Sequence, residues 1–144
     1  MNQEIFVKIR GLQMADGEQN TVETIHPGQY YLKNEKHYIL YEELDPDDGK
    51  VTKNRIKVSP GYMELYKNGV TNVHMVFEEG KKNVTYYYTP YGSLLIGIEA
   101  NLVEVKTTPD TICIDVDYVL EINNEYAADC HIHVEATENR KIEL

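Results

Sequence analysis

The sequence predicts an all-β domain, a closed antiparallel up-and-down β-barrel of about ten strands with no major helix. Val, Ile, Thr and Tyr recur in short alternating runs, with 12 tyrosines and no tryptophan, which is the composition of pleated, half-buried surface. Pairs of Asn, Gly, Asp and Pro punctuate these runs at hairpin spacing. No gap between runs is long enough for a helical crossover, so sequential strands must pair antiparallel as a meander. Strand segments are expected at 3–14, 20–26, 29–33, 36–44, 50–59, 61–67, 70–79, 82–89, 93–106, 111–122 and 126–137. So many short segments strain a flat open sheet, and closure removes the exposed edges. A chain of this size buries roughly 70% of its unfolded surface in one core, so residues 1–144 are expected to form a single domain.

The separators are Asp16-Gly17, Pro27-Gly28, Asn34-Glu35, the Asp45–Gly49 run, Asn68-Gly69, Gly80-Lys81, Pro90-Tyr91-Gly92 and Pro109-Asp110. Hairpin loop length fixes which residues face each other. A two-residue turn at Gly80-Lys81 sets Phe77 against Val84, Met75 against Tyr86 and Val73 against Tyr88. A three-residue loop over Lys67-Asn68-Gly69 sets Met63 against Val73. Within 93–106 the apolar stripe runs Leu94, Ile96, Ile98 and resumes as Val103, Val105, a change of parity that predicts a bulge near Ala100-Asn101. The last hairpin aligns the stripe from Ile112 to Ile122 with that from Ala128 to Ala136 across Asn123-Asn124-Glu125. This register sets Cys130 opposite Tyr118, Cys113 opposite Glu135, His131 opposite Asp117 and His133 opposite Asp115. The two thiols then lie on opposite faces and cannot bridge.

The balance of 24 acidic against 14 basic residues, a formal net charge of −10, argues against nucleic acid and anionic membrane surfaces as partners. No apolar run reaches the length of a membrane span and no leader precedes the first strand, so a cytoplasmic location is expected. Two cysteines without Cys-x-x-Cys spacing point to neither a disulfide scaffold nor a zinc site.

The segments Tyr38-Ile39-Leu40-Tyr41-Glu42-Glu43, Tyr86-Tyr87-Tyr88-Thr89-Pro90-Tyr91-Gly92 with Ile96-Gly97-Ile98, and Asp117 through Asn124 resemble the YwiB-like family of small, uncharacterised bacterial proteins. The resemblance spans nearly the whole chain and implies a calycin-like barrel, similar in shape to lipocalins. It implies no reaction, cofactor or catalytic residue.

Chemical features are sparse. Asp45-Pro46-Asp47-Asp48-Gly49 looks like a calcium loop until its fifth position, a glycine, and its missing twelfth-position Glu; a solvated turn explains it. No nucleophile elbow or phosphate loop is present, so no catalytic residue and no cofactor is expected. Asp115, Asp117, His131 and His133 share one face and form a weak candidate metal site, against which stands a structural cross-strand charge ladder. Met75, Tyr86, Tyr88, Ile96 and Tyr118 are expected on the interior, either filling the core or lining a cavity for a small apolar or amphipathic ligand. Tyr62, Tyr66 and Tyr87 are expected outside, where with His74 they offer a protein-binding patch or a homodimer face. The two functional expectations are therefore a ligand-binding barrel and a non-catalytic interaction module with a filled barrel.

Overall fold

The computed structural model describes Met1, residues 3–69 and residues 72–139. Ten strands follow in chain order: β1 (Glu4–Ala15), β2 (Glu18–Lys33), β3 (Lys36–Leu44), β4 (Val51–Ser59), β5 (Tyr62–Asn68), β6 (Val73–Glu78), β7 (Lys82–Thr89), β8 (Gly92–Thr107), β9 (Thr111–Ile122) and β10 (Glu125–Glu138). They form one antiparallel sheet in the order β6-β5-β4-β3-β2-β1-β10-β9-β8-β7, rolled into a nearly closed barrel. The tight turns carry the residues their geometry requires. Asp16, Asn34 and Asn123 each open a two-residue turn with φ of 51°, the left-handed conformation that matches strand twist and that Asn and Asp tolerate.

Inward rows of Ile5 and Val7, Ile56 and Val58, Ile112, Ile114 and Val116, with Met63, Phe77 and Val134, are buried. Phe77 meets Tyr118 edge-on with ring centroids 5.0 Å apart. The middle of the barrel is therefore packed with side chains. The bulge in β8 lies between Ala100 and Leu102, so Ile98 and Ala100 before it and Val103 after it all reach the core. In the last hairpin Cys130 pairs with Tyr118, Cys113 with Glu135, His131 with Asp117 and His133 with Asp115. The route to that register differs from the expected loop: a two-residue Asn123-Asn124 turn is followed by a bulge between Tyr126 and Ala128, which adds the same one-residue offset. Both cysteines are free, with Cys130 buried.

Three expected turns are corrected. Pro27-Gly28 is no turn; β2 runs straight through it. The β2–β3 ladder begins only at Gly28, so the proline removes no bond on that side. A Cβ at Gly28 would lie 2.5 Å from the Leu40 carbonyl oxygen, and glycine is there for this close approach. Between β5 and β6 Met63 pairs with Phe77 and Lys67 with Val73, a longer loop than expected; the shift is even, so the faces survive. The Gly80-Lys81 segment closes no hairpin ladder, because β6 and β7 are the two edges of the sheet. There Gly80 N–H donates to the Ala100 carbonyl at 2.9 Å and Ala100 N–H to the Lys81 carbonyl at 3.3 Å. The edges are joined at that end, across β8.

A second irregularity lies at β2. Its N-terminal half is laddered to β1 alone, since β3 joins from Gly28 onward. Residues 18–25 are all exposed, with Val22 and Ile25 at 66% and 63%, so the N-terminal half of β2 is an exposed edge strand resting on β1, which stays paired with β10 as far as Met14.

Candidate functional site at the barrel mouth

The five interior side chains expected to enclose a void are not brought together. Tyr118 is buried against Phe77, and Met75 and Ile96 pack on the core. Tyr86 and Tyr88 instead face outward, 62% and 72% exposed. The ladder with β8 sets this: Thr85 pairs with Ile96 and Tyr87 with Leu94, so Asn83, Thr85 and Tyr87 share the inner face that Ile96 occupies.

Open space lies at one end of the barrel. Where β2 separates from β3, a cleft of about 1070 Å³ is lined by Ile5, His26, Pro27, Tyr41, Leu44 and Asn54 among others. Between β6 and β7 a second lobe of about 580 Å³ opens, and Leu40, Lys53 and Asn54 line both. Asn54 is 2% exposed; its Nδ2 donates to the Thr52 carbonyl at 3.4 Å, whereas its Oδ1 is buried without a partner, as is His26 Nε2. The His26 ring stacks on Tyr41 at 4.9 Å. Burial, reinforced by Glu43, pushes the Tyr41 phenol well up, so it stays protonated and able to donate.

The lobe between the sheet edges has a different lining, with Lys53, Arg55, Lys67 and His74 beside Tyr66, Tyr86 and Tyr88. Arg55 lies over the Tyr66 ring at 4.4 Å, and Tyr66 stacks on His74 at 4.1 Å. Lys67 pairs with Glu43 at 3.1 Å, and His74 with Glu64 at 3.5 Å.

The histidine and aspartate face forms as a ladder. His131 Nδ1 is 2.6 Å from Asp117 and its Nε2 3.2 Å from Asp115, while His133 Nδ1 is 2.7 Å from Asp115. Both nitrogens of His131 are thus engaged by carboxylates, so it has no lone pair to offer a metal unless a contact is given up. Among the described residues no group of three or more His, Cys, Asp or Glu is arranged to hold a metal ion. The Asp45–Gly49 run is a turn whose carboxylates bind backbone: Asp45 Oδ1 accepts from Asp47 N–H and Asp48 Oδ1 from Lys50 N–H, each at 2.8 Å.

Residues 7–134 match the family described as a domain of unknown function, DUF1934. The chain belongs to the DUF1934 family. Its sequence is 31% identical over 119 residues to the uncharacterized beta-barrel protein YwiB of Bacillus subtilis, covering 81% of this chain and 76% of that protein. The crystal structure of ywiB protein from Bacillus subtilis superposes with a TM-score of 0.82 at 20% identity, over 96% of this chain and 93% of that one, a likeness of fold. Among the described residues of this DUF1934 chain, no helix is long and apolar enough to cross a membrane.

Sequence reasoning missed His26, Tyr41 and Asn54 as members of a DUF1934 mouth. One signal was present. Asn54 falls on the alternate-residue row of Ile56 and Val58, so a polar side chain stands where the pattern asks for an apolar one.

Proposed function

We propose that this protein is a non-catalytic binding protein of the cytoplasm that holds a small amphipathic molecule in the mouth of its barrel. The observation that carries this reading is the pair of buried, unpartnered polar atoms, Asn54 Oδ1 and His26 Nε2, in side chains lining one cleft. Each such atom costs about 1–3 kcal/mol when left unsatisfied, and a ligand that pairs with it recovers that cost on binding. Apolar walls with a few convergent polar groups, at the mouth of a barrel, are the usual form of a small-molecule site; the calycin-like shape supports the same reading by analogy of fold.

Replacing Asn54 by Leu, close in volume, tests it. The orphaned acceptor disappears, so thermal stability should hold or rise, while retention of a neutral fluorophore that carries an N–H donor, N-phenyl-1-naphthylamine, should be lost. Unchanged dye affinity in Asn54→Leu would sink the assignment of the mouth.

The packed centre and the exposed edge of β2 before Gly28 favour a second reading, an interaction module that works through its surface as a homodimer. Native mass spectrometry of the purified protein separates the two: a retained small molecule supports the first, and empty dimers that a Val22→Lys/Ile25→Lys double variant dissociates support the second.

A further inference from the structure

We infer that the lobe between the two sheet edges takes a planar organic anion that carries an N–H or O–H donor. The inference rests on the mouth-binding reading, since Asn54 lines both lobes.

The lobe lies between β6 and β7, the two edges of the sheet, which among the described residues are tied together through Gly80, Lys81 and Ala100 of β8. Farther along, the edges separate, with Val73 and His74 on one side of the opening and Thr85, Tyr86 and Tyr88 on the other. Its charge is opposite to that of the molecule. Lys53, Arg55 and Lys67 line it, and among the described residues no Asp or Glu does, on a chain whose 24 acidic residues outnumber 14 basic ones. Lys67 and His74 have carboxylate partners in Glu43 and Glu64. Arg55 instead lies over Tyr66, which leaves its fork of N–H donors available to a carboxylate, sulfonate or phosphate. Lys53 is exposed beside it. A positive concavity on a negative protein concentrates small anions there.

The aromatic lining sets the shape. Tyr86 and Tyr88 point away from the core with ring centroids 6.5 Å apart, and Tyr66 belongs to the Arg55–Tyr66–His74 stack. Rings that remain accessible beside guanidinium and ammonium groups receive a flat, charged molecule by stacking and ion pairing together. The third requirement comes from Asn54, whose unpartnered Oδ1 accepts and therefore asks for a donor.

The probe that meets all three conditions is 8-anilinonaphthalene-1-sulfonate, which has fused rings, a sulfonate and an N–H; N-phenyl-1-naphthylamine, with the same rings and N–H but no sulfonate, serves as the neutral comparison. The variant Arg55→Gln changes one exposed position that lines this lobe and not the cleft beside β2, and its melting temperature should match the parent's. We expect one site for the anionic dye, weakened by about tenfold in Arg55→Gln, as loss of a charge-assisted contact implies. Affinity for N-phenyl-1-naphthylamine should stay within about twofold, since a neutral ligand makes no such contact. Anionic dye bound equally well by parent and variant overturns the anion assignment. If binding of N-phenyl-1-naphthylamine to the parent is then still lost in Asn54→Leu, the mouth reading stands without it. A parent that binds neither dye overturns both.

Discussion

Asn54 and Tyr41 face each other across the β3–β4 ladder, and their different fates show what a buried polar group can do. Tyr41 keeps its proton and stacks on His26; Asn54 keeps an acceptor without a donor. Alternation alone identified the inward rows at β8, β9 and β10. It could not show that the mouth end of the β4 row borders open space, because that depends on where β2 leaves β3. Burial of phenols has a consequence at high pH. Tyr41 and Tyr118 both have folded-state pKa values raised above the ordinary phenol, chiefly by burial. Their protonated forms therefore favour the fold, a contribution fully present below about pH 10 and lost as pH rises from there toward the folded-state values. Phenolate absorbance should rise in two stages, accessible tyrosines first and buried ones together with loss of the β-sheet circular dichroism signal. A single stage completed with the fold intact would contradict the burial.

At the scale of strands, the legible parts were those whose pairing is fixed locally. The β8 bulge was visible as a parity change, and the β9–β10 register as two matching apolar stripes. β7 was not legible, for a physical reason: its rows Val84-Tyr86-Tyr88 and Asn83-Thr85-Tyr87 both look able to pack, and the more apolar row won on pattern. The ladder with β8 puts the other row inside, because Gly80-Lys81 reaches across to Ala100 rather than folding β7 onto β6. This asymmetric seam predicts a gradient of protection. Amides of β6 and β7 that face the seam near Val73 and Tyr88 should exchange with solvent at least about a hundredfold faster than those of Gly80 and Ala100, as free edge groups do relative to laddered ones. Uniform protection along both edges would mean that the strands pair in solution. The N-terminal half of β2 should exchange faster on its outer edge as well, since it has no second neighbour before Gly28.

For the molecule as a whole, hairpin-sized gaps were enough to give an antiparallel meander of about ten strands, and roll-up followed from the wish of a long sheet to hide its edges. What local rules could not supply was the location of the seam, since any pair of consecutive strands could have been left apart. The order β7-β8-β9-β10-β1-β2-β3-β4-β5-β6 has a further consequence for connectivity. Among the described strands every ladder joins neighbours in the chain except β1 with β10, where Ile5 pairs with Glu138 and Asn139 N–H reaches the Glu4 carbonyl. Spatial order is thus the sequence order cut and rejoined. A circular permutant that links Asn139 to Gln3 by a short turn and opens the chain between Gly80 and Lys81 would convert the single distant ladder into a hairpin. All nine pairings would then be local. Folding rate falls as contacts become more distant in sequence, so the permutant should refold faster than the parent in a denaturant-jump experiment while reaching the same sheet. A slower permutant would show that the peptide bond at the seam, by holding β6 beside β8, does more for the folding nucleus than the closure of β1 on β10.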